Sequence, residues 1–278
     1  MKSGLILVFI LFNLTFSNTC FGQFYEKQIE EKSDSPYKIK KTRTVINTGV
    51  GLAGLIAGQS LKGSLDPLSL QDINSLDSDG IPFFDQGAIS NYSLKARDWS
   101  DYIRYGSFSL PLLLLLDDTA SSNWQQILII GTESYLFNWG LTTISKSTFK
   151  RTRPLAYNNN VPLEEQLTVD ARLSFFSGHT SDTALFTFLT AKFFSDFYPD
   201  SPYKPYVWGG AALATITTGY LRYRGGKHFF SDVLTGGIVG GLVGILVPQS
   251  HKIKRVKGND LSIRFVGNSG SAGLFVTF

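Results

Sequence analysis

His179 and His228 stand at the starts of two apolar stretches, and most of the groups that could act with them lie close by in the chain. Ser177 and Gly178 precede the first histidine; Arg222 precedes the second, and Asp232 follows it by four residues. A third group, Lys146 with Arg153 and Pro154, closes an earlier apolar stretch. Two imidazoles, three cations and a carboxylate suit an oxyanion, above all a phosphoryl group. A neutral imidazole nitrogen is a nucleophile toward phosphorus. A lysine supplies a point charge and an arginine a two-pronged donor, matched to the several oxygens of a phosphate. An aspartate near an imidazole can fix its tautomer and stabilise its charged form. The chain has three histidines, and the third, His251, falls outside these groups and receives no role.

Each group alone has a plain structural reading. Lys146 and Arg153 are seven residues apart, about two helical turns, so both can share a face before Pro154 stops the helix. A basic helix end facing the macrodipole would use Lys150 and Arg151 equally well. Ser177 reads as an N-cap. Gly178 permits close backbone approach, and amides at a helix start bind anions. His228 and Asp232 share a helical face, as a surface ion pair beside the Gly225-Gly226 turn also would. The combination is more specific than its parts. If neighbouring helices run up and down, the ends of 127–144 and 206–220 and the starts of 180–197 and 233–247 fall on one side.

Those stretches belong to a series of six apolar blocks, at 45–56, 102–116, 127–144, 180–197, 206–220 and 233–247. Apolar pairs at helical spacing run through them, which predicts an all-α bundle of about six apolar helices. Most are somewhat shorter than the roughly 20 residues that span a bilayer upright. Gly49, Gly51, Gly54 and Gly58 mark the first block as one that packs closely on a neighbour. Between the first two blocks, 63–101 is polar and acidic and reads as a long surface loop. The last residues alternate like strands on either side of Gly267-Asn268-Ser269-Gly270, which predicts a short C-terminal β-hairpin.

The first residues have the pattern of an export signal: Lys2, an apolar run over 4–16, then small residues at Cys20 and Gly22. Cleavage before Gln23 leaves no cysteine, and so no disulfide framework. The expected organisation is a signal peptide at 1–22, a flexible lead-in at 23–43, a helical domain at 44–250, and a basic segment with a β-like tail at 251–278. The formal charge is +4, and much of the excess lies in 146–153 and 252–257. That balance suits phosphates or acidic lipids; no nucleic-acid motif is present, and nothing specifies an oligomeric state.

The three groups together resemble the type 2 phosphatidic acid phosphatases, which share a fold with vanadium-dependent haloperoxidases. The family pattern is Lys-x6-Arg-Pro, then Pro-Ser-Gly-His, then Ser-Arg-x5-His-x3-Asp. Lys146, Arg153 and Pro154 match the first piece. Ser177, Gly178 and His179 match the second, with Phe176 in place of proline. Arg222, His228 and Asp232 match the third, with Leu221 in place of serine. The resemblance covers roughly 102–247. It implies that His179 attacks phosphorus, and that His228, oriented by Asp232, protonates the leaving oxygen and then activates water. Lys146, Arg153, Ser177, Gly178 and Arg222 are then expected to hold the phosphate oxygens, with no metal and no cofactor. The implied activity is a phosphatase acting on a phosphomonoester or diphosphate, carried on a lipid and met at a membrane in the cell envelope, with the active face periplasmic. Two alternatives stand beside it: a haloperoxidase using vanadate in the same hollow, and a non-catalytic envelope protein.

Overall fold

A computed structural model describes residues 35–253, 262–268 and 271–277; the expected signal peptide lies outside them. Six long helices carry the six apolar blocks: α1 (Lys41–Gly63), α2 (Leu94–Leu113), α3 (Trp124–Phe149), α4 (Gly178–Phe197), α5 (Lys204–Arg224) and α6 (Phe230–His251). The chain is an all-α bundle, with a two-stranded antiparallel hairpin of β1 (Ser262–Asn268) and β2 (Ser271–Thr277) near its end. The hairpin's register runs from Ser262 opposite Thr277 to Asn268 opposite Ser271, so its turn is shorter than the sequence suggests.

Helix α4 is the centre of the bundle and packs against α2, α3, α5 and α6. Its Leu185, Leu189 and Phe193 are completely buried among Ile127 and Ile130 of α3 and Val243 and Val247 of α6. Each such side chain removed from water stabilises the fold by roughly 1.5–3 kcal/mol. Apolar and small residues lie all round α4, as a helix enclosed by neighbours requires.

Helix α6 meets α4 backbone to backbone. A methyl group on Gly240 would lie 2.0 Å from the Ser181 carbonyl oxygen, and one on Gly236 or Gly244 would lie 2.5 or 2.6 Å from the carbonyl oxygens of Ser177 and Leu185. On the other side of α6, Leu234, Ile238, Leu242 and Leu246 are at least half exposed. Helix α1 joins α3 by the same device: Gly51, Gly54 and Gly58 meet the backbone around Leu136, Gly140 and Thr143. Gly49, part of the expected packing series, faces open space. Among the described residues, α1 and α6 are the helices long and apolar enough to cross a membrane.

The structure departs from the sequence reading in three places, the first two of which bear on the site. Helix α3 stops at Phe149, because Lys150 takes a left-handed conformation with φ 49°; Arg153 therefore lies beyond the helix rather than on a face shared with Lys146. Helix α2 begins at Leu94, where Ser93 accepts a cap hydrogen bond from the Ala96 amide, so the end of the expected loop is helical. The lead-in is also shorter than 23–43. Lys38 donates its amide to the His251 carbonyl, Ile253 donates to Pro36, and the Lys40 amide donates to His251 Nδ1. Tyr37 is buried beside Phe193 and Phe197.

The glycine contact can be tested directly. Gly240→Val forces a side chain into the Ser181 carbonyl and is expected to cost at least about 3 kcal/mol. Gly209→Ala on α5, where a methyl group meets open space, is expected to be neutral or to stabilise by up to about 1 kcal/mol. Thermal unfolding of the two purified variants in detergent distinguishes them.

Candidate active site

The ends of α3 and α5 and the starts of α4 and α6 surround a cavity of about 810 Å³, lined by Lys146, Arg153, Gly178, His179, Arg222 and His228. All three sequence groups thus meet in one hollow. Ser177 and Asp232 are completely buried and do not line it.

His179 occupies the first turn of α4. The Ser177 hydroxyl accepts from the Thr180 amide at 3.4 Å and pairs with the Thr180 hydroxyl at 2.9 Å. That is the N-cap role, in which a side-chain oxygen satisfies an amide of the first turn. His179 Nε2 instead lies 2.7 Å from Oδ1 of Asp101, a residue of α2. Arg222 Nη1 is 3.6 Å from the same carboxylate oxygen and 3.3 Å from the Ser100 hydroxyl. Its Nε is buried with no hydrogen-bond partner among the described residues.

Across the cavity, Arg153 is fixed by four acceptors. Nε donates to the Asp170 carbonyl at 2.8 Å, Nη2 to Asp170 Oδ1 at 2.9 Å, and Nη1 to the Lys227 carbonyl at 2.7 Å. Nη1 also lies 3.1 Å from His228 Nε2, where the guanidinium can only donate, so Nε2 is the accepting nitrogen. Lys146 Nζ donates to the Leu173 carbonyl at 2.8 Å. It lies close to Arg153 and Arg222, and among the described residues no carboxylate forms an ion pair with it.

His228 precedes α6 rather than riding on it. Its Nδ1 is 3.6 Å from Asp232 Oδ2, an electrostatic contact longer than a hydrogen bond. Asp232 is held instead by Ser174 Oγ at 2.5 Å, the Phe229 amide at 2.9 Å and Arg151 Nη1 at 2.6 Å. Arg151 reaches a second fully buried carboxylate, Asp85, at 2.7 Å, and both groups bind the Ser231 hydroxyl. Its guanidinium also lies 4.1 Å over the Phe229 ring. The sequence reading treated Arg151 as an interchangeable helix-end charge and Asp85 as part of a surface loop. Both are parts of the frame that positions Asp232.

Among the cavity residues that the sequence reading did not single out are Asp101, Asp170 and Lys227. Asp101 sits at the margin of an acidic stretch, and only its closeness to the second apolar block could have drawn notice. Asp170 precedes the second motif without a pattern of its own. Lys227 adjoins His228, and that adjacency was a usable signal. Lys227 lies 3.6 Å from Glu165, which also binds Arg97 at 2.5 Å.

Burial among like charges sets the electrostatics. Burial pushes the His228 imidazole far below its usual range, and Arg153, Lys146 and Arg222 add to the effect. Burial, Arg222 and Arg104 likewise hold His179 neutral. Burial, with Arg97 and Arg153, pushes Lys227 down to about 8. Several cations thus crowd two uncharged rings, and an anion among them relieves that local repulsion.

The fold is a bundle of packed helices that gathers these motifs around one cation-lined hollow. The PAP2 superfamily model matches residues 126–255, which hold all three motifs. Among solved structures, a transmembrane PAP2-type phosphatidylglycerolphosphate phosphatase from Bacillus subtilis is similar at 23% identity, with a TM-score of 0.45, covering 77% of this chain and 100% of that chain. No curated protein matches the chain.

Two measurements check the site's construction. Arg151→Ala leaves two buried carboxylates without their cation and is expected to destabilise the protein by about 2–4 kcal/mol, with Arg151→Lys recovering only part of the loss. Denaturant unfolding reads both. The second concerns His228, followed by nitrogen NMR against pH. Without an anion it stays neutral well below pH 6.5, the reference value for imidazole. Saturating inorganic phosphate is expected to raise its pKa by about one pH unit or more, because the anion offsets the three cations.

Proposed function

We propose that the protein is a phosphatase that hydrolyses a phosphomonoester or diphosphate borne by a lipid, through a phosphohistidine formed on His179. The observation that carries the reading is the convergence of two imidazoles and three cations, from segments far apart in the chain, on one cavity. Lys146, Arg153 and Arg222 hold the phosphoryl oxygens, and the Gly178 amide at the start of α4 adds a donor. His179 attacks phosphorus; a P–N bond forms as the P–O bond to the leaving group breaks. His228 gives its proton to that leaving oxygen. It then takes a proton from water, whose oxygen forms a new P–O bond while the P–N bond breaks. Asp232, held rigidly by Arg151, Ser174 and the Phe229 amide, stabilises the imidazolium that this cycle requires.

For His228 to act as an acid through Nε2 that nitrogen must carry a proton, yet the ring is neutral and Nε2 accepts from Arg153. The substrate supplies the remedy, since a bound phosphate cancels part of the surrounding positive charge and raises the proton affinity of the ring. Proton transfer is thereby tied to occupancy.

The lipid part of the reading rests on the surface. Helices α1 and α6 are long and apolar enough to cross a membrane. Val45 and Ile56 on α1 are 70% exposed, and α6 turns a row of four aliphatic side chains outward. Gln59 and Lys62 near the end of α1 line the cavity, which brings a lipid-facing helix to the catalytic hollow.

Phosphate release from phosphatidic acid in mixed micelles tests the proposal. His179→Ala is expected to lose at least about a thousandfold in turnover. The wild-type protein is expected to form an acid-labile, base-stable phosphoprotein. Undiminished turnover by the variant would falsify the nucleophile assignment.

A further inference from the structure

Lys227 stands at a position that the third motif leaves open, yet its backbone is held between two motif arginines. Its carbonyl accepts from Arg153 Nη1 at 2.7 Å, and its amide donates to the Arg222 carbonyl at 3.1 Å. His228 follows it directly. Lys227 lines the cavity, and so does Arg97 of α2. We propose that these two cations form a second anion subsite on the leaving-group side of the cavity, and that it takes a phosphate bonded directly to the one His179 attacks. The preferred substrate is then a diphosphate. The inference rests on the assignment of His179 as nucleophile and of His228 to the leaving-group side.

Three observations support the subsite. The first is number. Lys146, Arg153 and Arg222 already match the three free oxygens of a phosphoryl group, so a monoester leaves Lys227 and Arg97 without a ligand. A cavity of about 810 Å³ has room beyond one phosphate. The second is charge. Glu165 meets both cations. It accepts from Arg97 Nη1 at 2.5 Å and from the Tyr92 hydroxyl at 2.8 Å, and it lies 3.6 Å from Lys227 Nζ, beyond hydrogen-bonding distance. Arg97 Nε is held by the Gly225 carbonyl at 2.8 Å. Arg97 is 8% exposed, and its Nη2 has no hydrogen-bond partner among the described residues. Asp170 is taken up by Arg153. Glu164 and Asp98 also line the cavity, and among the described residues neither forms an ion pair with Lys227 or Arg97. Two cations thus share one carboxylate. Arg97 and Arg153 both repel the Lys227 ammonium, and an anion beside it relieves that repulsion.

The third is the chemistry of departure. An aliphatic alcohol is about as weak an acid as water, whose pKa is about 15.7, so its oxygen leaves only with a proton. A phosphate monoester loses its second proton near a pH of about 6, so its oxygen leaves as an anion where cations receive it. His228 is neutral, and its Nε2 accepts from Arg153. A ring so hard to charge, with a lysine beside it, is matched to the second kind of departure. On a diphosphate, His179 attacks the terminal phosphorus, and a P–N bond forms as the bridging P–O bond breaks. The bridging oxygen keeps the electron pair and departs on a lipid monophosphate, whose new charge Lys227 and Arg97 receive. Water then cleaves the P–N bond as on a monoester, giving up its proton to His228 and releasing inorganic phosphate.

A matched pair of probes, farnesyl diphosphate and farnesyl monophosphate, tests this on the full chain in detergent. Wild type is expected to show a kcat/KM at least about tenfold higher for the diphosphate. Lys227→Met is expected to lower the diphosphate value about thirtyfold and the monophosphate value no more than about threefold. Lys227→Arg keeps the charge and is expected to recover most of the preference. In a single turnover, His228→Ala is expected to form the phosphoenzyme at least about tenfold faster from the diphosphate than from the monophosphate. A wild-type ratio near unity overturns the inference. So does an equal loss on both probes by a Lys227→Met protein that unfolds at the wild-type temperature, and so does His228→Ala that is phosphorylated equally slowly by both. Failure of the underlying reading looks different: wild type then releases phosphate from neither probe and forms no phosphoenzyme.

Discussion

Helix α6 can lie on α4 only because Gly236, Gly240 and Gly244 present no side chains to it, and the rest of the site follows from that contact. With the two backbones touching, the Ser177 amide donates to the Asp232 carbonyl at 3.0 Å. The starts of the two helices are thereby fixed side by side. One start carries His179 and the other follows His228 directly, so two histidines far apart in the chain serve one hollow. Two helix N-termini also bring their partial positive charges to the same place, which favours an anion between them. Larger residues along this seam would separate the helices and, with them, the two rings.

The cations around the hollow are anchored by a mixture of carbonyls and carboxylates. Leu173 holds Lys146, the carbonyls of Asp170 and Lys227 hold Arg153, and Gly225 holds Arg97. Arg153 also meets the Asp170 carboxylate, and Arg97 meets Glu165. A carbonyl fixes a cation's position while leaving most of its charge uncompensated, so Lys146, held by Leu173, keeps more of its charge for an anion than a paired arginine does. At the far end of the bundle Glu133 meets His251 and Asn47, and Asp196 meets Lys192, Lys252 and Tyr37. Those contacts tie elements together.

The helices were legible because their apolar blocks are long and their spacing is regular, and the convergence of the motifs needed only alternating helix directions. What sequence reasoning missed lies in residues whose meaning is tertiary. Asp85 looks like any acidic loop residue; it is buried because the segment around Ile81 and Ala88 folds over Phe229. Arg151 looks like its neighbour Lys150, yet Lys150 adopts the left-handed turn that ends α3, and Arg151 reaches inward to two carboxylates. Ser177 was read both as a cap and as a phosphate ligand, and its hydroxyl is taken up by the first of these. Asp101 had no signal of its own, since its partner His179 is brought to it by the packing of α2 on α4. Local patterns report which residues can form an element; they do not report which element will lie opposite.

The strap before α1 has a topological consequence. Pro36 and Ile253 are hydrogen-bonded neighbours, and Tyr37 pairs with Lys252, so the helical domain closes on itself like a ring. The order of its helices along the chain could be rotated, with a short bridge across that junction and a break in an exposed turn, without asking any helix to find a new neighbour. The junction lies at the C-terminal end of α6, whose length of about 30 Å separates it from the cavity. Both sides of that junction, Pro36 and Ile253, thus lie at the pole remote from the cavity.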